Sequence, residues 1–250
     1  MKHFFALTLC SALALTGPGV ARGQGVPAGG SPLVGWLKLS TESTLRGPWS
    51  LYTEVETRQG NTQLTAQHLG RVGVRWRLGP SFSLTTGYVL AYNQAHPDDP
   101  SRTLPEHRFY QEVALADASG RLRASHRLRA EERWLRPGSE AAFRFAPRLR
   151  YQLRLIMPFQ REGKLPVGTL YAVAADELFA GLGPNTNRSF LEENRASLGL
   201  GYRLNRNVNV ELAYLYQTQS VGPQGESASR NALLASLAFA PSRPLALVRR

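Results

Sequence analysis

The sequence predicts an all-β chain that forms a single antiparallel, up-and-down transmembrane β-barrel of 10 to 12 strands. Three observations support this prediction. Apolar and polar residues alternate one by one along most of the chain, short turns alternate with longer connections, and arginine and glutamate fill the polar positions of the strands. Alternation with period two marks a strand with two unlike faces. In lipid such strands must close into a barrel, because an open edge would leave backbone groups unsatisfied.

The first 23 residues have the layout of a secretory signal peptide. A basic start precedes an apolar run from Phe4 to about Leu15, and small residues follow up to Gly23. This run is shorter than the roughly 20 residues that a membrane-spanning helix needs. We therefore expect export, with residues 24–33 as a short linker. Cys10 lies inside the predicted leader, so the exported chain has no cysteine, as suits a bacterial envelope protein without disulfides.

The predicted barrel covers residues 34–240 and begins with the segment that is hardest to assign. The stretch RLRYQLRL (148–155) shows the pattern most clearly, with arginine or glutamine at every second place and leucine or tyrosine between. Eleven such segments occur, whereas bacterial barrels have an even number of strands. Either the segment 34–43 does not span, which leaves ten strands, or one strand is unrecognised, which makes twelve.

Two kinds of connection separate these segments. Tight turns, rich in residues that favour them, are predicted at 78–81, 117–120 and 205–207, and longer loops at about 93–104, 180–190 and 218–228. Short turns at one end and long loops at the other are typical of outer-membrane barrels. Phe239 fits the aromatic residue that usually ends such barrels, but a tail of residues 241–250 follows it.

The polar faces of the strands define a predicted lumen, because the apolar faces would contact outer-membrane lipid. Its arginines, which are also the candidate anion-binding residues, are Arg71, Arg75, Arg108, Arg127, Arg129, Arg133, Arg148, Arg150, Arg154 and Arg195. Its carboxylates are Glu54, Glu56, Glu112, Glu131, Glu177, Glu193 and Glu211.

Two functions are compatible with such a lumen. If the arginines pair with glutamates across strands, the barrel is largely plugged and its role is structural or unknown, since the guanidinium fork grips carboxylates well. If the arginines form a continuous unpaired track, the barrel is a small anion-selective porin for acidic oligosaccharides or other anions. In size and lumen chemistry that alternative is similar to the oligogalacturonate porins.

Other functions have weaker support in the sequence. Ser125 and His126 are adjacent on a strand and point to opposite faces, so they cannot act as nucleophile and base. The loop residues His96–Asp99 could bind a metal or act in acid–base chemistry, but they are typical of a solvated loop. We expect no enzyme, no catalytic residues, no metal and no cofactor. An outer-membrane hydrolase and a soluble β-sandwich remain as alternatives.

Charge and export together limit the expected partners. The chain has 30 Lys+Arg against 18 Asp+Glu and a formal net charge of +12. Such a basic chain could bind nucleic acid, but export and the period-two spacing of the arginines argue against it. We expect the bacterial outer membrane as the location. The expected partners are its lipid, the barrel assembly machinery and anionic solutes.

Seven stretches, in order, resemble the DUF2490 family of bacterial envelope proteins of unknown function. They are EVETR (54–58), GRVGVRWRL (70–78), EHRFYQE (106–112), HRLRAEERW (126–134), RLRYQLRL (148–155), DELF (176–179) and ENRASLGLGYRL (193–204). The resemblance implies an outer-membrane β-barrel. It implies no activity, because none is established for the family.

Overall fold

The chain is all-β over the residues that the structure describes. The structure is a computed structural model that describes residues 33–61, 65–96, 99–136, 138, 140–160, 165–183, 190–221 and 226–240, with the backbone alone for 95–96 and 99–102. The predicted signal peptide, nearly all of the predicted linker and the predicted tail lie outside these ranges. Among the described residues there is no helix of a length and hydropathy that could cross a membrane.

Twelve strands follow one another along the described chain. Eleven of them are long. The remaining strand, β7, has only two residues and pairs with the last residues of β6. The strands are β1 (Leu33–Arg46), β2 (Trp49–Arg58), β3 (Gln67–Arg77), β4 (Phe82–His96), β5 (Asp99–Ser119), β6 (Leu122–Leu135), β7 (Arg144–Phe145), β8 (Arg148–Pro158), β9 (Leu170–Gly181), β10 (Leu191–Arg203), β11 (Val208–Val221) and β12 (Glu226–Phe239).

The eleven long strands close into a barrel. Each pairs in antiparallel fashion with its neighbour in the sequence, and β8 pairs with β6 across the short β7. The barrel closes between β1 and β12, which run parallel from Leu33 opposite Asn231 to Thr41 opposite Phe239. The predicted barrel of 10 to 12 strands is therefore confirmed. Its strand number is eleven, so neither the ten-strand nor the twelve-strand alternative is correct, and the segment 34–43 is part of a full strand.

The parallel pair is a departure from the expected uniform up-and-down pattern. When strands alternate in direction, an odd number leaves the first and the last pointing the same way. The closing pair must then be parallel, and the two ends of the described chain lie at opposite ends of the barrel. We call the end of the barrel where Leu33 begins β1 the mouth. The connections at the mouth are those between β2 and β3, β4 and β5, β6 and β8, β9 and β10, and β11 and β12. Phe239 ends β12 at the opposite end, the turn end.

The connections differ in part from those expected. Strand β4 continues to His96 and β5 begins at Asp99, while β11 continues to Val221 and β12 begins at Glu226. Residues 93–104 and 218–228, two of the three predicted long loops, are therefore mostly strand. Their apolar and polar side chains do not alternate, but the backbone hydrogen bonds that pair two strands do not require such alternation. The predicted loop at 180–190 agrees with the gap between β9 and β10. At the turn end, β8 ends at Pro158 and β9 begins at Leu170, so more residues separate these strands than a tight turn contains.

Glycine allows two of the tight turns. Residues Gly47–Pro48 and Gly120–Arg121 are two-residue hairpin loops, closed by the pairs Arg46–Trp49 and Ser119–Leu122. Their glycines have φ of 54° and 59°, in the left-handed region. A type II′ turn requires such a φ at its first central residue and suits the twist of a hairpin.

The two faces of the barrel wall differ as the alternation predicted. The outer face exposes large apolar side chains all the way round, including Leu37, Val55, Val72, Phe109, Leu128, Leu198, Leu212 and Leu233. The inner face buries charged side chains in their place. Period two places successive residues on opposite faces, so one pattern along the chain produces both walls.

Candidate functional site: the charged interior

The predicted lumen residues lie together on the inner wall. Each of the ten predicted arginines has a carboxylate oxygen within 4.0 Å of a guanidinium nitrogen, and each of the seven predicted glutamates has an arginine partner in the same way. Most of these side chains are buried. The interior is therefore a set of ion pairs, and none of the ten arginines stands alone.

Glu131, on β6, has three arginines within 4.0 Å, as Glu112 on β5 does. Arg148 and Arg150 on β8 donate to the two oxygens of Glu131, with Nη2 to Oε2 and Nη1 to Oε1 distances of 2.6 Å each. Arg150 also donates from Nη2 to Glu177 Oε1 on β9, at 2.8 Å. The Glu131 side chain has no exposed surface. One guanidinium thus links three strands, as a planar fork with several donors can.

Two further groups extend the ion pairs around the wall. Arg129 on β6 donates to Glu112 on β5, and Arg127 donates to Glu177 Oε1 at 2.8 Å across β8. On the other side of the barrel, Arg71 on β3 donates from Nη1 to Glu54 Oε1 on β2 at 2.5 Å. These are contacts between strands, which the sequence alone could not assign.

Three inward aromatic rings connect the ion pairs to one another. The Tyr110 ring on β5 lies beneath the guanidinium carbons of Arg129 and Arg71, at 4.5 and 5.7 Å from its centroid. On β9, the Phe179 ring has Arg150 at 4.6 Å and Arg195 at 4.4 Å. Guanidinium groups stack favourably over aromatic faces, more so where water is excluded.

Trp36 on β1 supplies the third ring, which connects β2 to β10. Arg58 on β2 and Arg195 on β10 lie 4.3 and 5.0 Å from its centroid. Its indole Nε1 donates to Glu56 Oε1 at 2.5 Å. Contacts therefore run without a break from β2 through β1, β10, β9, β8, β6, β5 and β3 back to β2. We call this set the waist network: Trp36, Glu54, Glu56, Arg58, Arg71, Tyr110, Glu112, Arg127, Arg129, Glu131, Arg148, Arg150, Glu177, Phe179 and Arg195.

The waist network separates two smaller regions of the interior. Toward the turn end, Arg154 and Tyr171 both donate to Glu211 Oε1, at 2.5 and 2.8 Å. There Glu42 also accepts from Arg75 and Arg77. Toward the mouth lies a cavity of about 390 Å³, whose wall contains eight arginines and two glutamates among the described residues.

The match to a protein family agrees with this architecture. Residues 34–227, which are most of the chain, match the model of DUF2490, described as a protein of unknown function. The chain belongs to the DUF2490 family. It is also similar to an uncharacterised protein of Methylorubrum extorquens strain AM1, with 30% identity over 185 residues that cover 72% of this chain and 75% of the relative. The predicted family is thereby confirmed.

Several important residues of this DUF2490 barrel were not among the predicted lumen residues. The missed carboxylates and arginines are Glu42, Glu106, Arg58 and Arg230. Two of them carried a usable signal, since Glu106 has the same parity as Arg108 in its strand and Arg58 has the same parity as Glu54. The inward aromatics Tyr110 and Phe179 carried the same signal, since they have the parity of Arg108 and Glu177 in their strands.

Polar residues also occur on the outer wall of the DUF2490 barrel, and two pairs of them are hydrogen-bonded between neighbouring strands. Tyr151 and His126 are hydrogen-bonded, with Oη and Nδ1 2.8 Å apart. Asn194 donates from Nδ2 to Asp176 Oδ1 at 2.8 Å, and Asp176 is exposed. Such pairing reduces the cost of placing polar groups in an apolar medium. Within the described ranges, no three His, Cys, Asp or Glu side chains lie close enough to hold a metal ion.

Proposed function

We propose that this protein is an outer-membrane β-barrel of the bacterial envelope that is closed at its waist and has a structural role. The observation behind the proposal is the waist network. Every predicted lumen arginine in this network is paired with a carboxylate, and the contacts of the network return to the strand where they begin. An interior filled with long, mutually paired side chains leaves no continuous unpaired arginine track, which an anion channel would need.

The outer wall supports the membrane part of the proposal. Large apolar side chains are exposed around the whole barrel, among them Leu198 at 66% and Val55 at 59%. Patches of this extent are rare on soluble monomers. A closed barrel also has no free edge, which is the condition for strands to lie in hydrocarbon. The predicted signal peptide would deliver the chain to the envelope.

A small anion-selective porin is the second candidate, and one observation favours it. The mouth cavity has four times as many arginines as glutamates in its wall. Such a vestibule would concentrate anions at the entrance of a pore. The waist network argues against conduction, so the two candidates differ in whether ions cross the barrel.

Conductance in a planar bilayer under a salt gradient distinguishes the two candidates. We expect the refolded exported chain to insert without steady conductance. A triple variant with Glu131→Ala, Arg150→Ala and Glu177→Ala removes the centre of the waist network and should conduct. Because it leaves Arg148 and Arg127 without these partners, its reversal potential should show anion selectivity.

A matched control separates opening of the waist from general loosening of the barrel. Arg77→Ala removes an arginine whose side chain is 46% exposed at the turn end, and this variant should remain silent. Steady, anion-selective conductance of the unmodified protein would contradict the closed barrel and support the porin. A triple variant that is folded but silent would show that the waist network is not what closes the barrel.

A further inference from the structure

The mouth cavity contains a buried arginine that the ion pairs of the interior do not include. Arg230 on β12 lines this cavity and is 3% exposed. Its Nη2 donates to the carbonyl oxygen of Thr65 at 2.8 Å. Among the residues that the structure describes, its buried Nε has no hydrogen-bond partner and no carboxylate lies within ion-pairing distance of its guanidinium. A buried guanidinium without a counter-charge is costly for a protein to maintain.

The two glutamates of the cavity cannot serve Arg230, because they already have partners. Glu106 accepts hydrogen bonds from Arg108 on its own strand and from Arg133 on β6. Glu193 accepts from Arg195 and from Gln217. The cavity therefore keeps an excess of positive charge after its own carboxylates are paired, and an anion from solution would lower that charge.

An unpartnered acceptor lies beside this unpartnered donor. Gln217 on β11 is directly opposite Arg230 in the register of β11 and β12. Its Nε2 donates to Glu193 Oε1 at 2.7 Å, while its buried Oε1 has no hydrogen-bond partner among the residues that the structure describes. Buried polar groups are nearly always hydrogen-bonded. The Arg230 Nε that lacks an acceptor and the Gln217 oxygen that lacks a donor match a ligand that carries both an acid and a hydroxyl group.

The rest of the cavity wall agrees with such a ligand. Gln67, Asn93 and Gln219 add neutral polar side chains to it, and groups of this kind hydrogen-bond to hydroxyls. A cavity of about 390 Å³ lies within the range of about 300–1,000 Å³ for small-molecule sites. We infer that the mouth cavity binds a small acidic sugar, with its carboxylate or phosphate on Arg230 and a hydroxyl on the Gln217 oxygen.

This binding site goes beyond the closed barrel of the proposed function and does not depend on it. A ligand can bind at the mouth whether or not ions cross the waist. Binding is measured on the folded protein in detergent, and closure is measured as conductance in a bilayer. Failure of one therefore leaves the other intact.

Isothermal titration calorimetry of the purified barrel with three sugars tests the inference. Glucuronate carries a carboxylate, glucose 6-phosphate carries a phosphate, and glucose has the same hydroxyls without an acid. We expect saturable binding of at least one acid at constant ionic strength, and no detectable binding of glucose. Binding should weaken as salt rises, because the contact is between opposite charges. Binding of glucuronate but not of glucose 6-phosphate would show that the acid on Arg230 is a carboxylate. The opposite result would show that it is a phosphate.

Two variants locate the site, and a third provides the control. Arg230→Gln should weaken acid binding roughly tenfold or more, which is the loss of one charge-assisted hydrogen bond. Gln217→Glu places a carboxylate beside Arg230 and should compete with the ligand. Arg203→Gln makes the same change in net charge at the turn end, where Arg203 donates to the carbonyls of Leu165 and Arg206. This control should leave the affinity unchanged.

Three results would overturn the inference. They are the absence of saturable binding for both acids, binding of glucose as tight as that of the acids, and an equal loss of affinity in Arg230→Gln and Arg203→Gln. Heat-modifiable migration on a gel establishes that each variant is folded. If Arg230→Gln does not fold, the sugar series on the unmodified protein and the Gln217→Glu variant still decide the question.

Discussion

Leu153 on β8 lies directly opposite Asp176 on β9, and both side chains belong to the outer wall of the barrel. An arginine introduced at Leu153 would therefore face a carboxylate and could form an ion pair with it. A charge placed there would test the contact with Asp176 as much as the contact with lipid. Whether the wall faces lipid is better tested where no carboxylate lies opposite.

Val72, at the middle of β3, offers such a position. It is 45% exposed, and its cross-strand neighbours are Thr53 and Tyr88. If this wall contacts lipid, Val72→Arg should lower the free energy of unfolding in lipid vesicles by about 2–4 kcal/mol, measured by urea titration. Val72→Ala is the control for loss of the side chain. Equal stability of the two variants would show that this wall does not lie in hydrocarbon.

The waist network should respond strongly to loss of a single carboxylate. Glu131→Gln leaves the buried guanidiniums of Arg148 and Arg150 without their shared anion, and we expect a cost of about 3–5 kcal/mol in the free energy of unfolding. Glu42→Gln is the matched control. Glu42 also binds two arginines, but nearer to solvent, with its side chain 17% exposed, so the cost should be about 1 kcal/mol or less. Similar losses in both variants would contradict a special role for burial at the waist.

The parallel closing pair makes a prediction about the two ends of the described chain. Leu33 is 60% exposed at the mouth, and Ala240 is exposed just after β12 at the turn end. With the mouth outside the cell, a membrane-impermeant maleimide should label Leu33→Cys in intact cells and leave Ala240→Cys unlabelled. Lysed cells should label both.

No native cysteine should interfere with this labelling, because the only cysteine of the sequence is Cys10, inside the predicted leader. The reverse labelling pattern would show that the turn end, and not the mouth, lies outside the cell. Labelling of both variants from the same side would contradict the parallel pairing of β1 with β12, since that pairing places the two positions at opposite ends.

The packing of Tyr110 predicts a coupling between two residues. Gly73 and Gly87 are directly paired, and the Tyr110 ring lies over both, a known way to fill the space above strand glycines. A Cβ at residue 73 would overlap the Tyr110 hydroxyl and lie 3.0 Å from the carbonyl oxygen of Thr86. Gly73→Ala should therefore cost about 1–3 kcal/mol of stability.

A double-mutant cycle with Tyr110→Phe measures this coupling. The Tyr110 hydroxyl is buried without a hydrogen-bond partner among the described residues, so removing it alone should leave stability unchanged or raise it. In the Tyr110→Phe background, Gly73→Ala should cost about 1 kcal/mol less. Additive effects would indicate that Gly73 is required by the backbone of β4 and not by the tyrosine.

The alternation of residues along the chain by itself determined much of this protein. It assigned Arg148, Arg150 and Arg154 to one face of their strand and the leucines between them to the other, and it predicted a closed barrel of about the right size. These properties are local, because successive side chains in a strand point to opposite faces whatever the strand pairs with.

Only the tertiary structure decided how these faces are used. The partner of Arg150 is Glu131 on one neighbouring strand and Glu177 on the other, and which residues meet depends on register between strands. Arg195 on β10 lies over the rings of both Trp36 and Phe179, contacts between strands that alternation along the chain cannot assign. The surroundings of Arg230 also depend on tertiary structure, since its neighbours are the Thr65 carbonyl and, across the β11–β12 register, Gln217. Closure is equally non-local, since the direction of β1 relative to β12 follows from the number of strands between them and not from the residues of either strand.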